Sequence, residues 1–193
     1  MKADDKPVIH FPHREAWSHW LDQHGTGSAG LWLRLAKKGA GIASVSYAEA
    51  LEVALCHGWI DGQKKADDTQ FWLQKFTPRG PRSLWSKVNR DKALALIECG
   101  AMRAGGLREV ERARADGRWD AAYDSSRTAT VPEDFAAALA GNPAAAAFFA
   151  TLNSSQRYAM LFRLQTTRKA ETRARKIGEF TAVLARGEAI RLI

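Results

Sequence analysis

The chain has 193 residues, 46% of them hydrophobic and 26% charged, a balance that supports a buried core and excludes an extended disordered polymer. Two cysteines without metal-type spacing exclude a disulfide scaffold, and no stretch approaches the roughly 20 apolar residues that would span a bilayer. The formal net charge of +8 is concentrated: residues 61–92 carry eight Lys or Arg against four Asp, and residues 157–176 carry seven against the single Glu171. Such local fields favour anionic partners.

The opening Met1-Lys2-Ala3-Asp4-Asp5-Lys6-Pro7 lacks the apolar run of a secretion signal, so a cytoplasmic location is expected. Residues 13–23 read as a helix, because Trp17, Trp20 and Leu21 recur at i, i+3 and i+4 while Arg14, Glu15 and Asp22 stay outside that stripe. The following Gly25-Thr26-Gly27-Ser28-Ala29-Gly30 matches a dinucleotide-binding pattern in letters only. That pattern works between a strand and a helix, whereas here a helix precedes it and the strand-like Leu31 to Lys38 follows, so a connector is expected. Ser46-Tyr47-Ala48-Glu49 is a capping box opening a helix over 47–57, with Gly58 ending it.

Trp59 to Lys65 and Phe71 to Thr77 read as two strands of a hairpin joined through Ala66-Asp67-Asp68-Thr69. Thr77-Pro78-Arg79-Gly80-Pro81-Arg82 then breaks the pattern, since each Pro lacks an amide donor, and should present two arginines on a stiff loop. Asn89 is the expected N-cap of a helix over Arg90 to Cys99, and another helix is expected over Gly106 to Ala115. Cys56 and Cys99 each close an apolar helical pattern and are expected to be reduced core thiols. Residues 124–130 have linker composition. Beyond them come helices opened near Pro132, at Asn142-Pro143 and at Ser154, and a last one near 170–187 with Ala170, Ala174, Ile177, Thr181 and Leu184 on one stripe.

Several strings in this order are distinctive: LWLRLAKK (31–38), SYAEALEVALCHGWIDGQKK (46–65), FWLQKFTPRGPRSLWSKVNR (71–90), GRWDAAY (117–123), VPEDFAAAL (131–139) and NSSQRYAMLFRLQTTRKAETRARKI (153–177). Their succession resembles the bacterial YdeI/OmpD-associated family of bacteriocin-protection, OmdA-like proteins. His57 stands where members of that family often have an aromatic residue. The resemblance implies an α+β N-terminal unit followed by a helical C-terminal region. It also implies an association with bacteriocin protection, the porin OmpD and resistance to cationic peptides, but it carries over no catalytic residues.

The fold class expected is therefore α+β: a small, mostly antiparallel sheet packed by helices over residues 1–123, a linker at 124–130, and a helical region at 131–193. The stretch 59–90 interleaves aromatic rings with cations, which suits a surface that takes anions and flat rings. Lys64, Lys75, Arg79, Arg82 and Lys87 are the candidate anion-binding residues, and Trp72 and Trp85 the candidate stacking residues. The expected function is that of a binding protein for an anionic partner, nucleic acid or a phosphorylated metabolite, without catalysis. An enzyme with a pocket around His57, Asp61 and Lys64 is the first alternative, since a carboxylate can fix an imidazole tautomer and raise its basicity. A scaffold for an acidic protein is the second. His10, His13, His19 and His24 form no H-E-x-x-H and no C-x-x-C is present, so no metal or cofactor is expected.

Overall fold

Four strands form one sheet in the computed structural model, which describes residues 5–190. They are β1 (Val8–His10), β2 (Leu31–Ala36), β3 (Trp59–Ala66) and β4 (Phe71–Pro78), in the order β1-β2-β4-β3. β1 runs parallel to β2, while β2 with β4 and β3 with β4 are antiparallel. The sheet belongs to a unit comprising the chain up to Leu84 with Asn89–Asp120. A second unit comprises Trp85–Val88 and the chain from Ala121 onward. Sheet first and helices after make the protein α+β, as expected.

The hairpin forms because Asp68 closes its turn: the carboxylate accepts from the amides of Gln70 and Phe71, both at 2.8 Å. Arg34 on β2 reaches across to Asp67 at 2.6 Å and also binds Asp68. The pairing slips between Asp61 and Lys64, a bulge in which Gln74 compensates; its buried side-chain amide donates to the Gly62 carbonyl at 2.8 Å.

Register assigns the two faces. Leu31 pairs with Phe76, Leu33 with Gln74 and Leu35 with Trp72, so these six share one face. Helices α1 (Arg14–His24) and α2 (Tyr47–Cys56) cover it. Trp17 of α1 lies 5.8 Å from Phe76 between ring centroids, and Tyr47 of α2 lies 6.1 Å from Trp72. The opposite face carries Trp32, Phe71 and Leu73, all buried. Long cations lie across its rings: Lys65 Nζ is 4.2 Å from the Trp32 centroid, Lys75 Nζ 5.6 Å, and Arg34 Cζ 3.9 Å from that of Phe71.

The capping box that opens α2 is formed in both directions, with the Ser46 amide 2.9 Å from Glu49 Oε2. At the other end Gly58 takes φ +78°, and the chain turns there into β3. Helices α3 (Lys87–Glu98) and α4 (Ala104–Ala115) follow. α3 starts before the expected Asn89 cap, because the Lys87 amide is already held by the Tyr123 carbonyl at 2.8 Å. Cys99 corrects another expectation. It is exposed just past the last turn of α3, whereas Cys56 is buried; both are free thiols.

The second unit is helical: α5 (Glu133–Ala140), α6 (Pro143–Thr151), α7 (Ser154–Gln165) and α8 (Ala170–Ala185). Asn142 caps α6 with Pro143 in its first turn, as expected. The cap of α7 is Asn153 rather than Ser154, since Asn153 forms a reciprocal box with Gln156. Its core joins Phe135, Phe149, Met160, Leu164, Phe180 and Leu184. At the start of this unit, Asp124 accepts from Lys87 at 2.8 Å, and its carbonyl accepts from the Tyr158 hydroxyl at 2.8 Å. Burial pushes that hydroxyl up to about 12.

Candidate functional site

The residues picked out along 59–90 do not form one surface. Lys64 pairs with Gln74 and so sits on the helix-covered face, whereas Lys75 shares the opposite face with Leu73. Trp72 is half-buried against Tyr47. Trp85 is 2% exposed, which leaves it no face on which a base could stack, and this corrects its expected role. Lys87 is engaged by Asp124. Arg82 is exposed on its loop, but Arg79 is 5% exposed, so the expected presentation of both arginines is corrected as well. The Arg79 amide donates to the Gly58 carbonyl at 2.9 Å and Nη1 to the Leu84 carbonyl at 3.2 Å, which turns the side chain inward directly after β4.

The pairing of His57 with Asp61 that the enzyme alternative calls for is not made. Asp61 accepts from the Tyr47 hydroxyl at 2.8 Å, and burial, with this contact added, raises the tyrosine far above its ordinary range. Lys64 borders a shallow depression with Lys37, Lys65 and Trp72, apart from the cleft that holds His57.

Inward-turned Arg79 instead lines a cleft of about 570 Å³, within the roughly 300–1,000 Å³ usual for ligand sites. Four segments supply its walls: the end of α1 with Asp22 and Gly25, the α2–β3 corner with His57, Gly58 and Trp59, the end of β4 with Pro78 and Arg79, and the start of α4 with Arg103 just before it and Gly105, Arg108 and Glu109 in its first turns. Glu109 is taken up by Arg112 on its own helix. Neither Arg103 nor Arg108 has a carboxylate partner among the described residues, and both are exposed. The positive end of the α4 dipole adds to their field.

His57 sits at the corner where α2 ends, with φ −93° and ψ 2°, its amide held by the Val53 and Ala54 carbonyls. Its side chain is 8% exposed. Nε2 is 3.2 Å from Ser18 Oγ, and Nδ1 is 3.8 Å from Asp22 Oδ1. Ser18 and Asp22 are four apart on α1 and therefore share a face of that helix. Burial holds the imidazole below its ordinary value of 6.5; Asp22 opposes that shift and Arg103 adds to it.

A pH dependence of stability follows. A histidine lowered on folding binds its proton more readily in the unfolded chain, so its contribution is full above pH 6.5 and is lost as pH falls through the folded value. Urea midpoints measured from pH 7.5 to 5.0 should fall less in His57→Gln than in the wild type. Parallel curves would show that His57 does not carry the dependence.

Sequence reasoning reached His57 and Arg79 but missed Ser18, Asp22, Arg103 and Arg108. The i, i+4 spacing of Ser18 and Asp22 beside the apolar stripe of α1 was the available signal. Nothing in the sequence brings it to a histidine 39 residues away. Among the described residues no group of three or more His, Cys, Asp or Glu could hold a metal ion, and no helix is long and apolar enough to cross a membrane.

Sheet, helical second unit and arginine-lined cleft define an α+β protein with a cationic recess in its sheet-bearing unit. The chain belongs to the family described as Domain of unknown function (DUF8412), whose model matches residues 9–109. Residues 128–187 match a second model, described as Bacteriocin-protection, YdeI or OmpD-Associated. That is the family the sequence motifs resemble, and it links the chain by association to bacteriocin protection. The model covers only the C-terminal part of the resemblance, since the motifs at 31–38, 46–65 and 71–90 fall in the first matched range. Neither a curated protein nor a solved structure matches the chain.

Proposed function

We propose that the protein binds an anionic, phosphate-bearing ligand in the cleft at the start of α4, in a setting of bacteriocin protection. The observation that carries this reading is the convergence of Arg79, Arg103 and Arg108 on one recess. Guanidinium groups offer forked donors matched to phosphate oxygens, and a part-enclosed site strengthens each contact relative to open water. The net charge of +8 would draw such a ligand in. This moves the anion site from the loop and strand cations expected from the sequence to a recess that shares only Arg79 with them.

Isothermal titration with pyrophosphate and with a single-stranded oligonucleotide, each at 50 and 200 mM salt, tests the reading. Binding of pyrophosphate should weaken at least about 100-fold in Arg103→Ala/Arg108→Ala, since each of the two charge-assisted contacts contributes roughly 1.5–3 kcal/mol. Arg82→Ala should leave it unchanged. A steep salt dependence for the oligonucleotide alone would favour a polymer as the natural ligand. No binding of either probe at low salt overturns the proposal, as does binding that depends on Arg82 and not on Arg103 and Arg108.

A further inference from the structure

Ser18, His57 and Asp22 stand in the order of a nucleophile, a general base and a carboxylate that orients the base. The imidazole sits between them, 3.2 Å from the Ser18 hydroxyl and 3.8 Å from the Asp22 carboxylate. Triads are recognised by this geometry rather than by sequence position, and their contacts are often longer before substrate binds. The surroundings fit the roles. The His57 backbone is fixed by two amide contacts at the corner after α2, and its ring is 8% exposed with Nε2 against Ser18. Ser18 and His57 open together onto a second recess of about 250 Å³, where Arg14 and Arg103 supply the positive charge that a developing oxyanion needs. Cys56 lines the same recess, but burial pushes its thiol up and keeps it unreactive.

We propose that Ser18 is a catalytic nucleophile, activated by His57 with Asp22 as a positioning residue, and that this recess hydrolyses small acyl esters. Ser18 Oγ bonds to the acyl carbon as its proton passes to His57 Nε2, and the ester C–O bond breaks with that proton going to the departing alkoxide. Water, deprotonated by His57, then attacks the acyl-serine to release the carboxylic acid and restore the hydroxyl. The depressed affinity of His57 for protons keeps the base form available at neutral pH. The charged groups facing the ring are Asp22 on α1 and Arg103 before α4, with Arg14 and Glu15 also lining the recess. The proposal goes beyond the anion-binding reading and stands without it, because the nucleophile opens onto the second recess rather than the first.

The full chain is incubated with a small alkyl fluorophosphonate and its mass is measured intact and after proteolysis, alongside hydrolysis of p-nitrophenyl acetate. One adduct on Ser18 is expected, absent in Ser18→Ala, with labelling and hydrolysis slowed about 100-fold or more in His57→Gln. Asp22→Asn should slow both about tenfold and move the midpoint of the pH profile downward, which a purely structural role would not do. Circular dichroism of each variant checks folding. An unlabelled wild type, or an adduct at any residue other than Ser18, overturns the proposal whatever the variants do. Pyrophosphate binding of the same wild-type sample, measured separately, tells failure here from failure of the anion reading.

Discussion

Gly58→Ala is expected to destabilise the sheet-bearing unit by about 3 kcal/mol or more, read as a fall in the urea midpoint at unchanged slope. Two costs combine. Gly58 has φ +78°, where an alanine Cβ meets the following carbonyl at roughly 1–2 kcal/mol. In addition, that Cβ would lie 2.6 Å from the Gly105 carbonyl oxygen and 3.0 Å from the Glu109 side chain, so α4 would have to move away from the α2–β3 corner. Overpacking of this kind costs about 1–3 kcal/mol. Gly39→Ala isolates the first cost, because Gly39 has φ +86° with nothing within 4 Å. It should lose only about 1–2 kcal/mol. Equal losses in the two variants would mean that the close approach of α4 is not tight.

Trp17→Ala should cost about 4–5 kcal/mol, near the upper end for loss of a buried aromatic residue. Trp17 is fully buried, and its ring lies within 6.0 Å of those of Phe11, Trp20, Trp59 and Phe76. Its indole N–H also donates to the Ala50 carbonyl at 3.1 Å, so truncation removes a buried hydrogen bond as well as leaving a cavity. Trp17→Phe should lose about half as much, since it keeps most of the ring but not the donor. Denaturant unfolding of both variants checks the order, and a loss below about 2 kcal/mol in Trp17→Ala would show that the neighbours collapse into the space.

The helices that depend on local chemistry were legible. The Ser46–Glu49 box, the Asn142-Pro143 start and the apolar recurrences of α1 and α2 each specify a local shape through contacts within four residues. The hairpin was legible for the same reason. β1 was not, because three residues carry no measurable alternation and its pairing with Trp32, Leu33 and Arg34 is purely tertiary. Which way Trp72 points could not be read, because Phe71, Leu73 and Phe76 are buried on both faces of β4, one under helices and the other under cation stems. Phe180 escaped the stripe assigned to α8, although it is more buried than Ile177.

The candidate site failed differently. Composition drew attention to a run rich in Trp, Lys and Arg, yet alternation along strands sends neighbours in such a run to opposite faces. Arg79 joins Arg103 and Arg108 only because β4 ends beside the first turn of α4. Ser18 meets His57 only because α1 and α2 pack on the same face of the sheet.

The bulge in β3 has a consequence for self-association. β3 is an outer strand of the sheet, and its unpaired side offers amides and carbonyls to which another chain could add a strand. An incoming strand would lose register where Asp61 gives way to Lys64, and would then meet the exposed ammonium groups of Lys64 and Lys65. Two copies meeting edge to edge with Lys64 opposite Lys65 would set like charges against each other. The irregularity that Gln74 holds in place thus works against regular strand addition along this edge.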